Sequence, residues 1–194
     1  LGYAHELARA MLEEGGEIFT GSPVQRVVPR DGKWSVETNL GSVLAERVIV
    51  GTNAYTQDFW QNLDSTFYRI IAYNVASQPL SENVRRSILP GGHNVIDTRG
   101  HAHYFKMDKD GRLVTGSVLA GKRGVERELT TDVFNRRLRY DFPQLGELQW
   151  PWLWYGYIAV TRETLPKIYD LAPGVTAAMG YSGRGVPTAT AMGK

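Results

Sequence analysis

The chain has no cysteine among its 194 residues. That excludes a disulfide framework, a thiolate metal site and a cysteine nucleophile, and it fits a reducing, cytoplasmic setting. Histidine is scarce as well: His5, His93, His101 and His103 are all there are. His101 and His103 alternate, so in a strand they share a face, and two imidazoles on one face can hold part of a metal site. No third ligand converges in the sequence, so the expectation is surface histidines beside Gly100 and no metal. Excess charge of one sign is lacking too, the formal net charge being +2. The densest basic stretch, Arg136-Arg137 with Arg139, reads as the solvated face of a helix, and nothing points to nucleic acid. No apolar run approaches the roughly 20 residues of a membrane span, and no signal-peptide pattern is visible. Around Ser182 the G-x-S-x-G elbow of hydrolases fails: Gly180 fits, but Arg184 stands where the second glycine must be.

What is present is enough for a core. With 42% hydrophobic residues, the chain can fill one domain or two small ones. Ala4, Leu7, Ala8, Met11 and Leu12 have helical spacing, closed by Gly15-Gly16 as a C-cap. Strands are expected at Glu17–Phe19, Val24–Val28, Trp34–Thr38 and Ser42–Glu46, with Asp31-Gly32 as a hairpin turn. Val48-Ile49-Val50 is a short apolar strand ending in small residues, the kind of strand end beyond which ligands sit in layered α/β folds. Further strands are expected over Phe67–Ser77, Asn94–Asp97, Ala102–Met107, Arg112–Val118 and Gln149–Val160. Ser81–Arg86 predicts a short helix capped by Ser81. Thr131–Phe142 predicts a longer one with Val133, Phe134, Leu138 and Phe142 on one face. The fold class is therefore α+β or mixed α/β, with a middle domain carrying an antiparallel sheet and flanked by the two pieces of another. Leu1 is not a methionine and the last helix is barely begun at Lys194, so an internal fragment is expected.

Two stretches could carry chemistry. Val175–Met179 reads as a buried strand, followed by Gly180, Gly183 and Gly185 and then a helix-like run from Thr188. A strand, glycine turn and helix start concentrate unpaired N–H groups and partial positive charge at one point, and glycine admits close approach to that backbone. The stretch is either a tight corner or a seat for an electron-rich group. In the second stretch, Trp150, Trp152 and Trp154 face one side of a strand, and Tyr155 and Tyr157 the other. One of those faces could line a pocket for a flat cofactor or a cationic amine, or simply belong to a core.

The order of motifs is distinctive. It runs Arg47-Val-Ile-Val-Gly-Thr-Asn-Ala-Tyr, then Tyr104-Phe with Asp110-Gly-Arg-Leu-Val-Thr-Gly116, then Phe142-Pro-Gln-Leu145. Trp154-Tyr-Gly156, Thr161-Arg-Glu-Thr-Leu-Pro166-Lys-Ile168 and Gly180-Tyr-Ser-Gly-Arg-Gly-Val186 follow. Over essentially the whole chain this succession resembles the FAD-dependent D-amino acid oxidase family, and within it the gamma-glutamylputrescine oxidase-like branch. The resemblance implies a split FAD-binding domain, residues 1–58 and 160–194, around a substrate-binding domain, residues 59–159. It implies FAD contacts from Val27 near adenine and from Thr52, Asn53 and Ala54 near the ADP half. At the pyrimidine end of the flavin it implies Gly180, Tyr181, Ser182, Gly183, Arg184, Gly185 and Val186. There the helix start would stabilise the negative charge that builds on flavin as it accepts a hydride.

Departures from the family pattern carry equal weight. No G-x-G-x-x-G fingerprint for the pyrophosphate is present, so this chain alone is expected to bind FAD weakly and to be inactive. Tyr169 replaces the glycine that closes the Thr161–Ile168 motif. Ile158 stands where amino-acid-oxidising members carry an arginine for the substrate carboxylate, which makes an amine the better substrate. No lysine matches the one set over flavin N5, Lys122 being a candidate only. Tyr104, Trp154 and Tyr155 are the candidate substrate-pocket residues, and no catalytic residue is assigned. The expected function is FAD-dependent oxidation of a small-molecule amine or amino acid. The alternative is a binding or regulatory module that keeps the shape without the chemistry.

Overall fold

The computed structural model describes residues 2–56, 60–98, 103–119 and 127–193. The chain divides into two units. One comprises Leu1–Gly51, Thr56–Asp64 and Ile168–Ala177, and the other Thr52–Tyr55, Ser65–Lys167 and Ala178–Lys194. Helix and antiparallel sheets in the same chain make the fold mixed α/β, as the sequence pattern predicts.

The first unit opens with helix α1, Gly2–Glu13, which stops where Gly15 adopts φ 85°. Strands β1 (Val24–Arg30), β2 (Lys33–Thr38) and β3 (Ser42–Ala45) form an antiparallel meander. Asp31 and Gly32, at φ 50° and 74°, make the tight turn that the Asp-Gly pair predicts. Strand β4 (Val48–Val50) pairs in parallel with β11 (Val175–Met179), and β10 (Lys167–Ala172) completes a three-stranded sheet. Parallel pairing needs a long crossover, and here the crossover holds almost all of the second unit. The Trp34 indole donates to the Pro173 carbonyl at 3.0 Å, pinning the β10–β11 turn to the meander. Glu17–Phe19 does not form the expected strand. It lies between the Gly15-Gly16 and Gly21 turns, with no ladder partner among the described residues and with Phe19 exposed.

The second unit is built on a five-stranded antiparallel sheet in the order β6-β7-β8-β5-β9. Its strands are β5 (Tyr68–Pro79), β6 (Val95–Ile96), β7 (Tyr104–Met107), β8 (Arg112–Leu119) and β9 (Trp152–Val160). Helices α2 (Glu82–Ile88) and α3 (Arg127–Asp141) complete it, and α4 (Gly185–Met192) follows the last strand. Ser81 is the N-cap of α2, but its hydroxyl makes no capping hydrogen bond. The register Tyr73↔Ser117, Val75↔Thr115 and Phe105↔Thr115 turns the odd-numbered residues of β5, β7 and β8 to one face. There Tyr73, Val75, Phe105 and Leu113 pack with Phe134, Leu138, Leu145 and Trp150 into one core. Of the residues expected on the buried face of α3, Phe134 and Leu138 are buried and Phe142 packs against the core, whereas Val133 is exposed.

His103 corrects an expectation. It is buried rather than on the surface, its ring edge-on to Phe134 at 5.2 Å. Its amide donates to Asp97 Oδ1 at 3.0 Å, and Arg137 pairs with the same carboxylate. An odd-numbered position at the start of β7 faces the core, which sequence spacing alone cannot tell. His101 and Lys122 lie outside the described residues. Among the described residues no group of histidines and carboxylates could hold a metal ion, and no helix is long and apolar enough to cross a membrane.

Candidate functional site

The glycine turn after β11 is fixed by its neighbours within the second unit. Gly180, Ser182 and Gly183 adopt φ of 74°, 51° and 83°. At Gly180 any side chain is disfavoured, because φ is left-handed and a Cβ there would stand 2.3 Å from Thr161 Cγ2. Tyr181 bridges to Val160 at the end of β9. Ser182 N–H donates to the Ala159 carbonyl at 3.0 Å, and Thr161 N–H donates to Ser182 Oγ at 3.3 Å. Arg184 N–H then donates to the Tyr181 carbonyl at 2.9 Å and the chain enters α4.

The start of α4 is rich in donors. Arg184 is its N-cap and supplies no side-chain cap. Gly185 and Val186 occupy the first two positions, where helix geometry leaves N–H groups without an acceptor in the helix. Pro187, at the third position, has no N–H to leave unpaired. Space beside Gly183 is open, the one atom near a Cβ there being Ile158 Cδ1 at 3.9 Å. An exposed backbone with donors to spare fits the electron-rich end of a flavin.

Asn53 joins the turn to the end of β4. It begins a single 3-10 turn, Asn53–Tyr55, at φ 46°, a conformation that asparagine tolerates better than most residues. Its Oδ1 accepts from Gly180 N–H at 3.0 Å. Two motifs 127 residues apart in sequence are thereby brought together. Thr52 is exposed beside Asn53, and Ala54 is buried beneath it. Tyr55 Oη accepts the Tyr157 N–H at 3.0 Å on the outer edge of β9, and the two rings meet edge to face at 5.7 Å. Val27 belongs to the first unit, buried in β1 opposite Val36.

The face of the five-stranded sheet turned away from the core carries the other candidates. The register Tyr104↔Gly116, Gly116↔Asn74 and Asn74↔Trp154 sets these residues in one row across β7, β8, β5 and β9. Gly116 makes the row possible: a Cβ there would come within 2.3 Å of the Tyr104 hydroxyl. The phenol lies over β8 and its hydroxyl donates to Asn74 Oδ1. Burial pushes the Tyr104 hydroxyl above the ordinary 10.0, and neighbouring Tyr73 adds to the rise. At neutral pH it keeps its proton. Along β9, Gly156 and Ile158 continue the same face toward Gly183. Tyr155, opposite Tyr73, points to the other face and does not share a surface with Tyr104 and Trp154.

Beside the row is a shallow cavity of about 280 Å³ lined by Ala76, Asp108, Arg112, Val114, Trp152 and Trp154. Its cation is already engaged. The Arg112 guanidinium sits 4.7 Å from the Trp152 ring centre and pairs with Asp110 at 2.6 Å and Asp108 at 3.3 Å. Sequence reasoning missed Asn74. The available signal was an amide side chain between Tyr73 and Val75, in the middle of an otherwise β-prone run.

Known proteins resemble this chain throughout its length. The sequence pattern of the family described as FAD dependent oxidoreductase matches residues 1–194. A probable oxidoreductase OrdL of Haemophilus influenzae is 30% identical over 190 residues, covering 96% of this chain and 43% of that protein. The gamma-glutamylputrescine oxidoreductase of Escherichia coli is 29% identical over 196 residues, covering 95% of this chain and 45% of that protein. The chain thus spans less than half the length of either relative. Among solved structures, L-proline dehydrogenase from P. horikoshii superposes with a TM-score of 0.76 at 20% identity, over 96% of this chain and 51% of that one. Glycine oxidase from Geobacillus kaustophilus gives 0.69 at 18% identity, over 94% and 48%. These structures share the fold, and FAD is the cofactor of the matched family. The match over its full length makes this chain a member of the FAD dependent oxidoreductase family.

Proposed function

We propose that this chain supplies the flavin-facing turn and the substrate-facing sheet of an FAD-dependent amine oxidoreductase. The observation that carries the reading is the open sheet face running from Gly183 past Ile158 to Trp154, Asn74 and Tyr104. That face is apolar at Ile158, and Arg112 is already paired. Within the row itself an α-carboxylate would find no free cation, the exposed Lys106 lying two residues along β7 from Tyr104 on the same face. An amine needs hydrogen-bond acceptors and aromatic surface, which the Tyr104 hydroxyl and Trp154 provide. The name of the Escherichia coli relative, an oxidoreductase of a putrescine derivative, supports the same class.

In this reading residues 1–58 and 160–194 serve the cofactor and residues 59–159 the substrate. FAD, when bound, supplies the hydride acceptor, and the substrate is left as an imine that water hydrolyses. The chain's own part is positioning. Gly183, Gly185 and Val186 direct N–H groups at the electron-rich edge of the cofactor, where developing negative charge is stabilised. Asn53 holds that turn in place through Gly180. Val27, Thr52 and Ala54 belong with the adenosine side. Tyr104 and Trp154 orient the amine so that its C–H is presented at reacting distance, and orientation of this kind removes much of a barrier without a proton-transferring side chain.

The reading is tested on the whole protein. Purified material should show flavin absorbance, and anaerobic addition of amines from a varied panel should bleach it. A colourless protein that added FAD does not stabilise would instead favour a binding module without redox chemistry.

A further inference from the structure

Within the reading just given, the row Tyr104–Gly116–Asn74–Trp154 contains a device that the amine class does not by itself require. A tyrosine hydroxyl has one proton and two lone pairs. At Tyr104 the proton is committed to Asn74 Oδ1, so what the hydroxyl offers to the open face is acceptor character. We infer that Tyr104 Oη accepts a hydrogen bond from the substrate's amine N–H, and that Asn74 is the positioning residue that fixes this polarity and so selects an amine over a carboxylate. Three features of the row build it. Gly116 lets the phenol cross β8 with its hydroxyl over the backbone. The pairing Gly116↔Asn74 puts the amide under that hydroxyl. The pairing Asn74↔Trp154 sets an exposed indole alongside, an aromatic wall for the alkyl part or for a cation. Burial keeps the phenol protonated, so the donated proton is present at neutral pH.

A purely structural role for Asn74 would change both affinities alike, whereas a polarity role changes their ratio. Asn74→Leu frees the Tyr104 proton to turn outward and donate, which should weaken amine binding and improve carboxylate binding together. Asn74→Asp keeps an acceptor under the hydroxyl and should preserve the preference. Tyr104→Phe removes the acceptor altogether. The probes are tert-butylammonium and pivalate, matched in shape and without a C–H on the functional carbon, so that neither can be oxidised. Calorimetric titration of the flavin-loaded protein should find tert-butylammonium the tighter ligand. The amine-to-acid affinity ratio should fall about tenfold in Asn74→Leu and in Tyr104→Phe, the size expected for one hydrogen bond. It should fall no further in the double variant and should be retained in Asn74→Asp. A ratio unchanged in Asn74→Leu overturns the inference, as does a wild type that prefers pivalate or binds neither probe. If Asn74→Leu does not fold, an unchanged ratio in Tyr104→Phe overturns it equally. Failure of the oxidoreductase reading looks different: no amine bleaches the flavin, while the binding ratios stand.

Discussion

The two faces of the five-stranded sheet are made by the same strands and serve opposite ends. On one, Tyr73, Val75, Phe105 and Leu113 disappear under Phe134 and Trp150. On the other, one residue along each strand, Asn74, Tyr104, Gly116 and Trp154 form a polar and aromatic row, with Trp154 exposed. Because side chains alternate at a period of two, the register that seats the core also sets the row. The dry face fixes positions, and the open face spends that precision on polarity. Stability should therefore reside on one face and selectivity on the other.

The largest expected effect sharpens this contrast. Phe134 is fully buried, so Phe134→Ala should cost about 3–5 kcal/mol in a denaturant titration. Trp154→Ala on the open face should cost under about 1 kcal/mol while weakening amine binding. Equal losses would break the division between the faces. Next come the glycines of the turn. Gly180→Ala meets both the left-handed backbone and the Thr161 methyl, and about 2–4 kcal/mol is expected from strain and overpacking. Gly183→Ala has open space and should cost only about 1 kcal/mol. The two thermal midpoints should therefore separate clearly. Asn53→Ala removes the acceptor for Gly180 N–H, worth about 1–2 kcal/mol, and should weaken FAD binding more than it lowers stability.

The smallest effect is a slope with pH. Burial raises the Tyr104 and Tyr73 hydroxyls above the ordinary 10.0 in the folded protein. A raised folded value means stability that is fully present below the unfolded value and lost as pH rises through the folded one. Urea midpoints should therefore fall as the solution is made more alkaline than the ordinary tyrosine value. Tyr104→Phe should fall less steeply.

Much of the architecture was legible because local signals agreed with the fold. Alternating residues marked β2 and β9, and Asp31-Gly32 marked its hairpin. Trp152 and Trp154 face away from the odd-numbered tyrosines of β9, as periodicity requires. Trp150 departs from the expected face: it precedes the strand and turns into the core, where its indole donates to Asn135 Oδ1 at 2.8 Å. Strand β10 leaves no sequence signal, since half-buried and exposed positions alternate along Lys167–Ala172 but polarity does not follow them, Lys167 being half-buried and Ile168 exposed. The Glu17–Phe19 strand failed because β-prone residues need a partner strand. His103 was misread because its burial depends on Phe134, thirty-odd residues away in a helix. The candidate site was legible as motifs but not as contacts. Tyr104 and Asn74 are 30 residues apart, and only the pairing of three strands makes them neighbours. The Asn53–Gly180 bond likewise arises from the parallel β4–β11 pairing.

Under the proposed function, the open face receives an amine with no carboxylate on the reacting carbon. The most direct test compares n-butylamine with 2-aminopentanoate, which adds only that carboxylate, as reductants of the flavin-loaded protein under anaerobic conditions. Bleaching by n-butylamine should be faster, by about tenfold or more in second-order rate. Faster bleaching by 2-aminopentanoate would contradict it.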